Sequence, residues 1–339
     1  MLRKNVRWVS PAIISIFILM LYYILEKMDD SNNIPLTSRF LVFFIFNEEP
    51  FRNNSVNTNM RTIKRIQASK YHSIDDLITY SPLPSGNADH IDPFLALNHF
   101  GPQEYIPNNN GLPFYPHTVQ GISLISIVLE GETAFDDYNG NKNLVRPGGF
   151  HWINSGNGVS ICEESSKEFI EKGGRLELVQ LWINMPKNTR NRNPVYNGIQ
   201  QNQIPLLSDV DHGTNIRLLV GDFESRTGAI RNKDATIVLI GLDSGGHIQL
   251  SIPRKKNILL YVIRGALIVN DRPVNKLNLV EFFKDDELVD IKSEKDSLAL
   301  LAFASPVDSP LRKVHSKLAN ISEYQQMYRD FYRGRMNLG

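Results

Sequence analysis

Residues 111–121 read GLPFYPHTVQG and residues 146–164 read RPGGFHWINSGNGVSICEE. Between them runs ISLISIVLEGETAFDD (122–137), two β-rich stretches broken by Glu130-Gly131. Short apolar runs punctuated by Gly, Asn and Pro are the signature of strands. Residues i and i+2 of a strand point to the same side, so His117 shares a face with Val119, and Ile161 shares one with Glu163. Cys162 and Glu164 then point the other way, and the adjacent Glu163 and Glu164 cannot act as an acid–base pair.

The same pattern recurs outward from about Arg61, in Leu176–Ile183 (LELVQLWI), Ala235–Leu242 (ATIVLIGL), Ile258–Ile263 (ILLYVI) and Ser297–Ala304 (SLALLAFA). An all-β body follows. Helical spacing is clear only near the end, where Ile321, Tyr324, Met327, Tyr328 and Phe331 fall three or four apart and predict a short C-terminal helix packed on a barrel. A weak repeat pairs SIVLEGETAFDD with LYVIRGALIVND, each with glycine (Gly131, Gly265) where a tight hairpin needs positive φ. Proline and asparagine from Asn188 to Pro205 mark a linker. Two similar jelly-roll barrels joined near residue 200 account for length and repeat, giving domains at 61–200 and 201–339.

The N-terminus has a different character. Trp8–Leu25 (WVSPAIISIFILMLYYIL) is uncharged, follows Arg3, Lys4 and Arg7, and precedes Glu26, Lys27, Asp29 and Asp30. Its eighteen residues span roughly 27 Å as a helix, close to a bilayer's hydrocarbon thickness of about 30 Å. No small-x-small cleavage site follows, so residues 1–30 are expected to be an uncleaved transmembrane anchor with its N-terminus cytoplasmic and the body on the far side. Phe40–Phe46 (FLVFFIF) is too short to cross, and residues 31–60 read as a tether.

Composition narrows the function classes. Thirty-seven Lys plus Arg balance thirty-six Asp plus Glu, for a net charge of +1, so no global field gathers nucleic acid. Cys162 is the only cysteine, which excludes an intrachain disulfide and a multi-thiolate zinc site. There is no Gly-x-Ser-x-Gly elbow, P-loop or dinucleotide fingerprint.

The spacing of 111–121 and 146–164 resembles the paired metal-binding motifs of cupins, and within cupins the sequence resembles the pirin family. The carriers are Asp92-Pro93-Phe94-Leu95, Phe100-Gly101-Pro102, Pro116-His117 with Gly121, and Leu129-Glu130-Gly131-Glu132. Arg146-Pro147-Gly148, Trp152, Gly156-x-Gly158, Leu181-Trp182-Ile183-Asn184-Met185-Pro186 and Ile204-Pro205 follow in order. The likeness covers roughly residues 61–339 and is strongest in the first half.

The resemblance implies a bicupin: two stacked barrels, with iron or another divalent metal in the N-terminal one held by three histidines and one glutamate. Carried over position by position, those ligands fall on His117, Val119, Ile161 and Glu163. Two of four are hydrocarbon, and two donors fall short of the two-histidine, one-carboxylate minimum of non-haem iron. Without metal, Glu163 is expected to have a raised pKa or to pair with a donor such as His117. A rescued site would draw on His151, His99 or Cys162. His247 stands alone in the second half and reads as a solvated or core histidine, and Asp136 and Asp137 read as a hairpin tip. The resemblance brings quercetin 2,3-dioxygenase activity and transcriptional cofactor roles, both tied to the metal. The leading expectation is therefore a membrane-anchored, non-catalytic protein that binds an unidentified small molecule or protein, without bound cofactor. Its rival is a dioxygenase with a substitute ligand, and a third reading is a pure interaction module.

Overall fold

The computed structural model describes residues 59–84, 90–114, 116–136, 142–209 and 212–307. The anchor Trp8–Leu25, the run Phe40–Phe46, the C-terminal helix around Ile321–Phe331 and Asp137 lie outside the described residues. Among the described residues no helix is long and apolar enough to cross a membrane.

Among the described residues the body is all-β, with one short helix, Lys167–Lys172, and a single 3-10 turn, Gln201–Gln203. A seven-stranded antiparallel sheet runs in the order Val195–Ile199, Phe150–Asn154, Ile122–Glu130, Gly174–Asn184, Phe94–Tyr105, Leu77–Leu83, Lys70–Ile74. It faces a four-stranded sheet ordered His117–Val119, Val159–Ser165, Thr133–Asp136, Lys142–Val145. Chain residues beyond 205 repeat this plan. A four-stranded sheet of His247–Ser251, Leu288–Ser293, Ala266–Val269 and Arg272–Asn275 faces a seven-stranded one. The latter is ordered Ile63–Ala68, Asn278–Phe282, Asn257–Arg264, Ser297–Ala304, Ala235–Leu242, Thr214–Val220, Leu206–Asp209.

The repeat seen in sequence is thus a repeat in space: Ile122–Glu130 and Thr133–Asp136 correspond to Asn257–Arg264 and Ala266–Val269. The glycines between them have positive φ, 76° at Gly131 and 80° at Gly265. They do not close hairpins. Ile122–Glu130 pairs with Gly174–Asn184 and Phe150–Asn154, whereas Thr133–Asp136 pairs with Val159–Ser165 and Lys142–Val145. Each glycine is a corner at which the chain leaves one sheet for the other. A Cβ at Gly131 would sit 2.6 Å from the Arg175 carbonyl oxygen, and one at Gly265 would sit 2.5 Å from that of Asp296.

Two further expectations are corrected by strand pairing. Ile63–Ala68 pairs with Asn278–Phe282, so the start of the expected 61–200 domain is an edge strand of the C-terminal barrel. Arg61, fully buried, secures it there by donating to the carbonyls of Phe283 (2.6 Å) and Lys256 (2.5 Å). The Asn188–Pro205 segment is more than a linker, because Val195–Ile199 takes the equivalent edge position of the first barrel, beside Phe150–Asn154.

Three apolar cores follow from the alternation of side chains. Within Gly174–Asn184, Leu176, Leu178 and Trp182 enter the first barrel, while Val179, Leu181 and Ile183 enter a core shared with the second. Ser297–Ala304 mirrors this, with Ala299, Leu301 and Phe303 inside its barrel and Leu300, Ala302 and Ala304 in the shared core. A sheet buried on both faces reads as a near-continuous apolar run, which is why these strands show no polar face in sequence.

Candidate functional site

Register places the resemblance-derived positions together. Val159–Ser165 pairs with His117–Val119 so that Val159 opposes Val119 and Ile161 opposes His117. Positions 117, 119, 161 and 163 therefore share one face on two neighbouring strands. Val119 (1% exposed) and Ile161 (3%) belong to the first barrel's core with Phe135, Leu124 and Trp182. The side chain of His117 lies outside the described residues.

Glu163 is buried beside these hydrocarbons. Its Oε1 accepts from Ser126 Oγ (2.7 Å) and Thr133 Oγ1 (3.0 Å), and its Oε2 from Gln180 Nε2 (3.2 Å). Gln180 Oε1 in turn accepts from Trp182 Nε1 at 2.7 Å. Ser126 and Gln180 are cross-strand partners, and Ser126 also opposes His151, so one polar row crosses the sheet opposite the carboxylate. Thr133 reaches Glu163 from the neighbouring strand of the carboxylate's own four-stranded sheet.

The hydrogen-bond directions follow from the donor inventory. Thr133 has a single proton, and donating it to an ionised Glu163 requires His151 Nε2, 2.9 Å away, to be the N–H that donates to Thr133. His151 Nδ1 is then bare and accepts from Tyr196 O–H at 2.8 Å. Burial brings the His151 imidazole down to about 3, against the Thr133 hydrogen bond that opposes it, so the ring is neutral as this tautomer demands. With Glu163 ionised the donors run in one direction, from Tyr196 to His151 to Thr133 to Glu163.

Burial pushes the Glu163 carboxyl above its ordinary range despite the three hydrogen bonds that favour the anion. This accords with the expected rise, although the described donors are Ser126, Thr133 and Gln180. Sequence reasoning missed them. The available signal was a serine inside ISLISIVL and a glutamine inside LELVQLWI, polar residues in buried strands that demand partners.

The substitute ligands are committed elsewhere. His151 has both ring nitrogens hydrogen-bonded, as above. His99, 1% exposed, faces the second barrel: its Nδ1 lies 3.0 Å from Tyr261 Oη and its Nε2 lies 2.9 Å from Glu177 Oε1. Burial, with Arg264 nearby, lowers it to about 3. Arg264 of the second barrel also bonds Glu177, so His99 belongs to a polar tie between barrels. Cys162 Sγ lies 4.0 Å from the Phe114 carbonyl and alternates away from Ile161 and Glu163. Among the described residues no group of three or more His, Cys, Asp or Glu could hold a metal ion. The described residues do not fit the four-ligand set.

In the second barrel His247 is not alone. Its Nε2 lies 2.6 Å from Oδ1 of Asp290, a buried carboxylate. Burial would raise that acid, but hydrogen bonds from His247, Lys292 and Gln249 hold it at about 2. Asp136, opposite Cys162 on one side, is the last paired residue of the hairpin formed by Thr133–Asp136 and Lys142–Val145, where it opposes Lys142.

Two stacked double-sheet barrels with matching strand orders, one carrying a carboxylate at the ligand face, define a cupin-type double barrel. Residues 76–183 match the model of the Pirin family. A Pseudomonas aeruginosa protein named "Putative quercetin 2,3-dioxygenase PA2418" is 27% identical over 266 residues, covering 77% of this chain and 91% of its own. A Caulobacter vibrioides pirin-like protein is 26% identical, covering 75% and 90%. The crystal structure of a quercetin 2,3-dioxygenase from Acinetobacter baumannii superposes with a TM-score of 0.71 at 25% identity, covering 82% of this chain and 98% of that one. The fold is also that of the Escherichia coli bacterial pirin YhhW in complex with nickel(II), with a TM-score of 0.58 at 18% identity. The chain is pirin-like in sequence and cupin-like in fold.

The Glu163 environment has a measurable signature. A carboxyl raised on folding binds more protons in the native state than in the unfolded state once pH passes its ordinary range, so stability falls as pH rises from 4.5 through the raised value. Glu163→Gln removes this titration. Denaturant unfolding across pH should show the native chain losing stability relative to Glu163→Gln in that window, by at most about 1.4 kcal/mol per pH unit. Parallel pH curves would contradict the raised carboxyl.

Proposed function

We propose that this chain is a divergent pirin-family protein, tethered to a membrane by Trp8–Leu25, whose first barrel serves small-molecule or protein binding and regulation rather than metal-dependent oxygenation. The observation that carries this reading is the burial of Val119 and Ile161 at two of the four positions implied by family resemblance. Neither side chain has a lone pair to offer. His117 and Glu163 remain, and the described oxygens of Glu163 already accept three hydrogen bonds. A redox-capable iron needs about one further protein donor at least.

The dioxygenase reading takes its support from the names of the relatives. It requires a third ligand, and His151 would have to surrender its bond to Thr133 or to Tyr196 to become one. Nothing in the described geometry favours that exchange.

Metal analysis separates the two. The full chain, purified in detergent and equilibrated with Fe(II), Mn(II), Ni(II), Cu(II) or Zn(II), should retain no more metal than its His117→Ala variant. Retention near one equivalent, lost in His117→Ala, would overturn the non-catalytic reading and make flavonol oxidation the next assay.

The anchor is tested separately. Alkaline carbonate extraction of membranes should leave the full chain in the pellet, and deletion of residues 8–25 should move it to the supernatant. A full chain that appears in the supernatant would refute the tether.

A further inference from the structure

A cleft of about 640 Å³ opens where the two barrels meet, on the face of the first barrel's sheet opposite to the Glu163 row. Its volume lies within the roughly 300–1,000 Å³ typical of small-molecule sites. Trp152 forms part of its lining. Trp152 is on the shared-core side of Phe150–Asn154, whereas Ile153 points into the first barrel.

Two observations set this cleft apart. First, Trp152, 1% exposed, lines the cleft, and its buried Nε1–H has no acceptor among the described residues. Buried indole N–H groups ordinarily find one, and Trp182 does, on Gln180 at 2.7 Å. Second, the described rim is positive: Lys187 and Arg192 from the first barrel, Arg231 and Lys233 from the second, against one carboxylate, Asp234, among the described lining residues. None of these four cations forms an ion pair among the described residues. In a chain whose net charge is only +1, that is a local concentration of positive charge.

The cation-bearing segments are fixed rather than loose. Arg190, 2% exposed, anchors the first by donating to the Met185 carbonyl (2.8 Å) and to Asn184 Oδ1 (2.7 Å). The Arg192 carbonyl accepts from the Asn157 N–H at 2.9 Å. In the second, Asn232 Oδ1 accepts from the N–H groups of Asp234 (2.8 Å) and Ala235 (3.1 Å). Anchored cations around a cleft with an apolar wall are the elements of a site for an organic anion.

We propose that the inter-barrel cleft binds a small organic anion, a carboxylate or phosphate carried on an apolar body. The anionic group is held by Arg192, Arg231 and their neighbouring lysines, and the apolar body rests along the wall that includes Trp152 and Ile183. This site is distinct from the Glu163 pocket and does not depend on whether that pocket holds metal.

The test uses the full chain in lipid nanodiscs, with empty nanodiscs as the blank, and equilibrium dialysis of 1-naphthyl phosphate, 1-naphthoate and neutral 1-naphthol. Saturable binding of at least one anionic probe is expected, with none for 1-naphthol. The double variant Arg192→Glu/Arg231→Glu, which alters exposed side chains only, should weaken binding by about tenfold or more, and Trp152→Phe should weaken it by a smaller factor. If neither anion binds saturably, or if binding survives the charge reversal in a variant that melts like the native chain, the proposal is wrong.

Discussion

The central strands of each seven-stranded sheet are buried on both faces, and most other features follow from that constraint. Successive residues of Gly174–Asn184 alternate between the first barrel's interior and the core shared with the second. A strand in this position has no solvent-facing side on which to place polar residues. Any polar group that does occur must find its partner inside the protein, since an unpaired buried group costs about 1–3 kcal/mol. Gln180, Ser126, His151, His99 and Glu177 all meet that condition, and Trp152 Nε1 finds no partner among the described residues.

The constraint sorts the polar residues into two systems on opposite faces of one sheet. Inside the first barrel, Tyr196, His151, Thr133, Ser126 and Gln180 converge on Glu163. Between the barrels, Tyr261, His99, Glu177 and Arg264 connect the two halves. The first system occupies the ligand face of a cupin-type barrel with the hydrocarbons Val119 and Ile161 beside it.

The central strands were legible because their apolar runs are long and unbroken; Ala235–Leu242 and Ser297–Ala304 have the same bounds in sequence and in structure. The duplication was visible through Gly131 and Gly265. What local sequence could not convey was which strand pairs with which. A positive-φ glycine serves a hairpin and a sheet-to-sheet corner equally well, and Ile63–Ala68 pairs with a strand more than two hundred residues later. At the site, alternation put Val119, Ile161 and Glu163 on one face correctly. The donors to Glu163 come from three other strands, and their convergence depends on non-local register that a single chain segment does not encode. Likewise Asn188–Pro205, which reads as a linker, builds an edge strand and one wall of the inter-barrel cleft.

On the proposed reading, two side chains rather than the fold separate this barrel from a metal site. Reinstating donors with the double substitution Val119→His/Ile161→His, followed by elemental analysis after Ni(II) and Fe(II) loading, tests it directly. The account predicts that the double variant gains close to one equivalent of metal, that adding Glu163→Ala abolishes the gain, and that the native chain loaded in parallel gains none. A correctly folded double variant that binds no more metal than the native chain would contradict it.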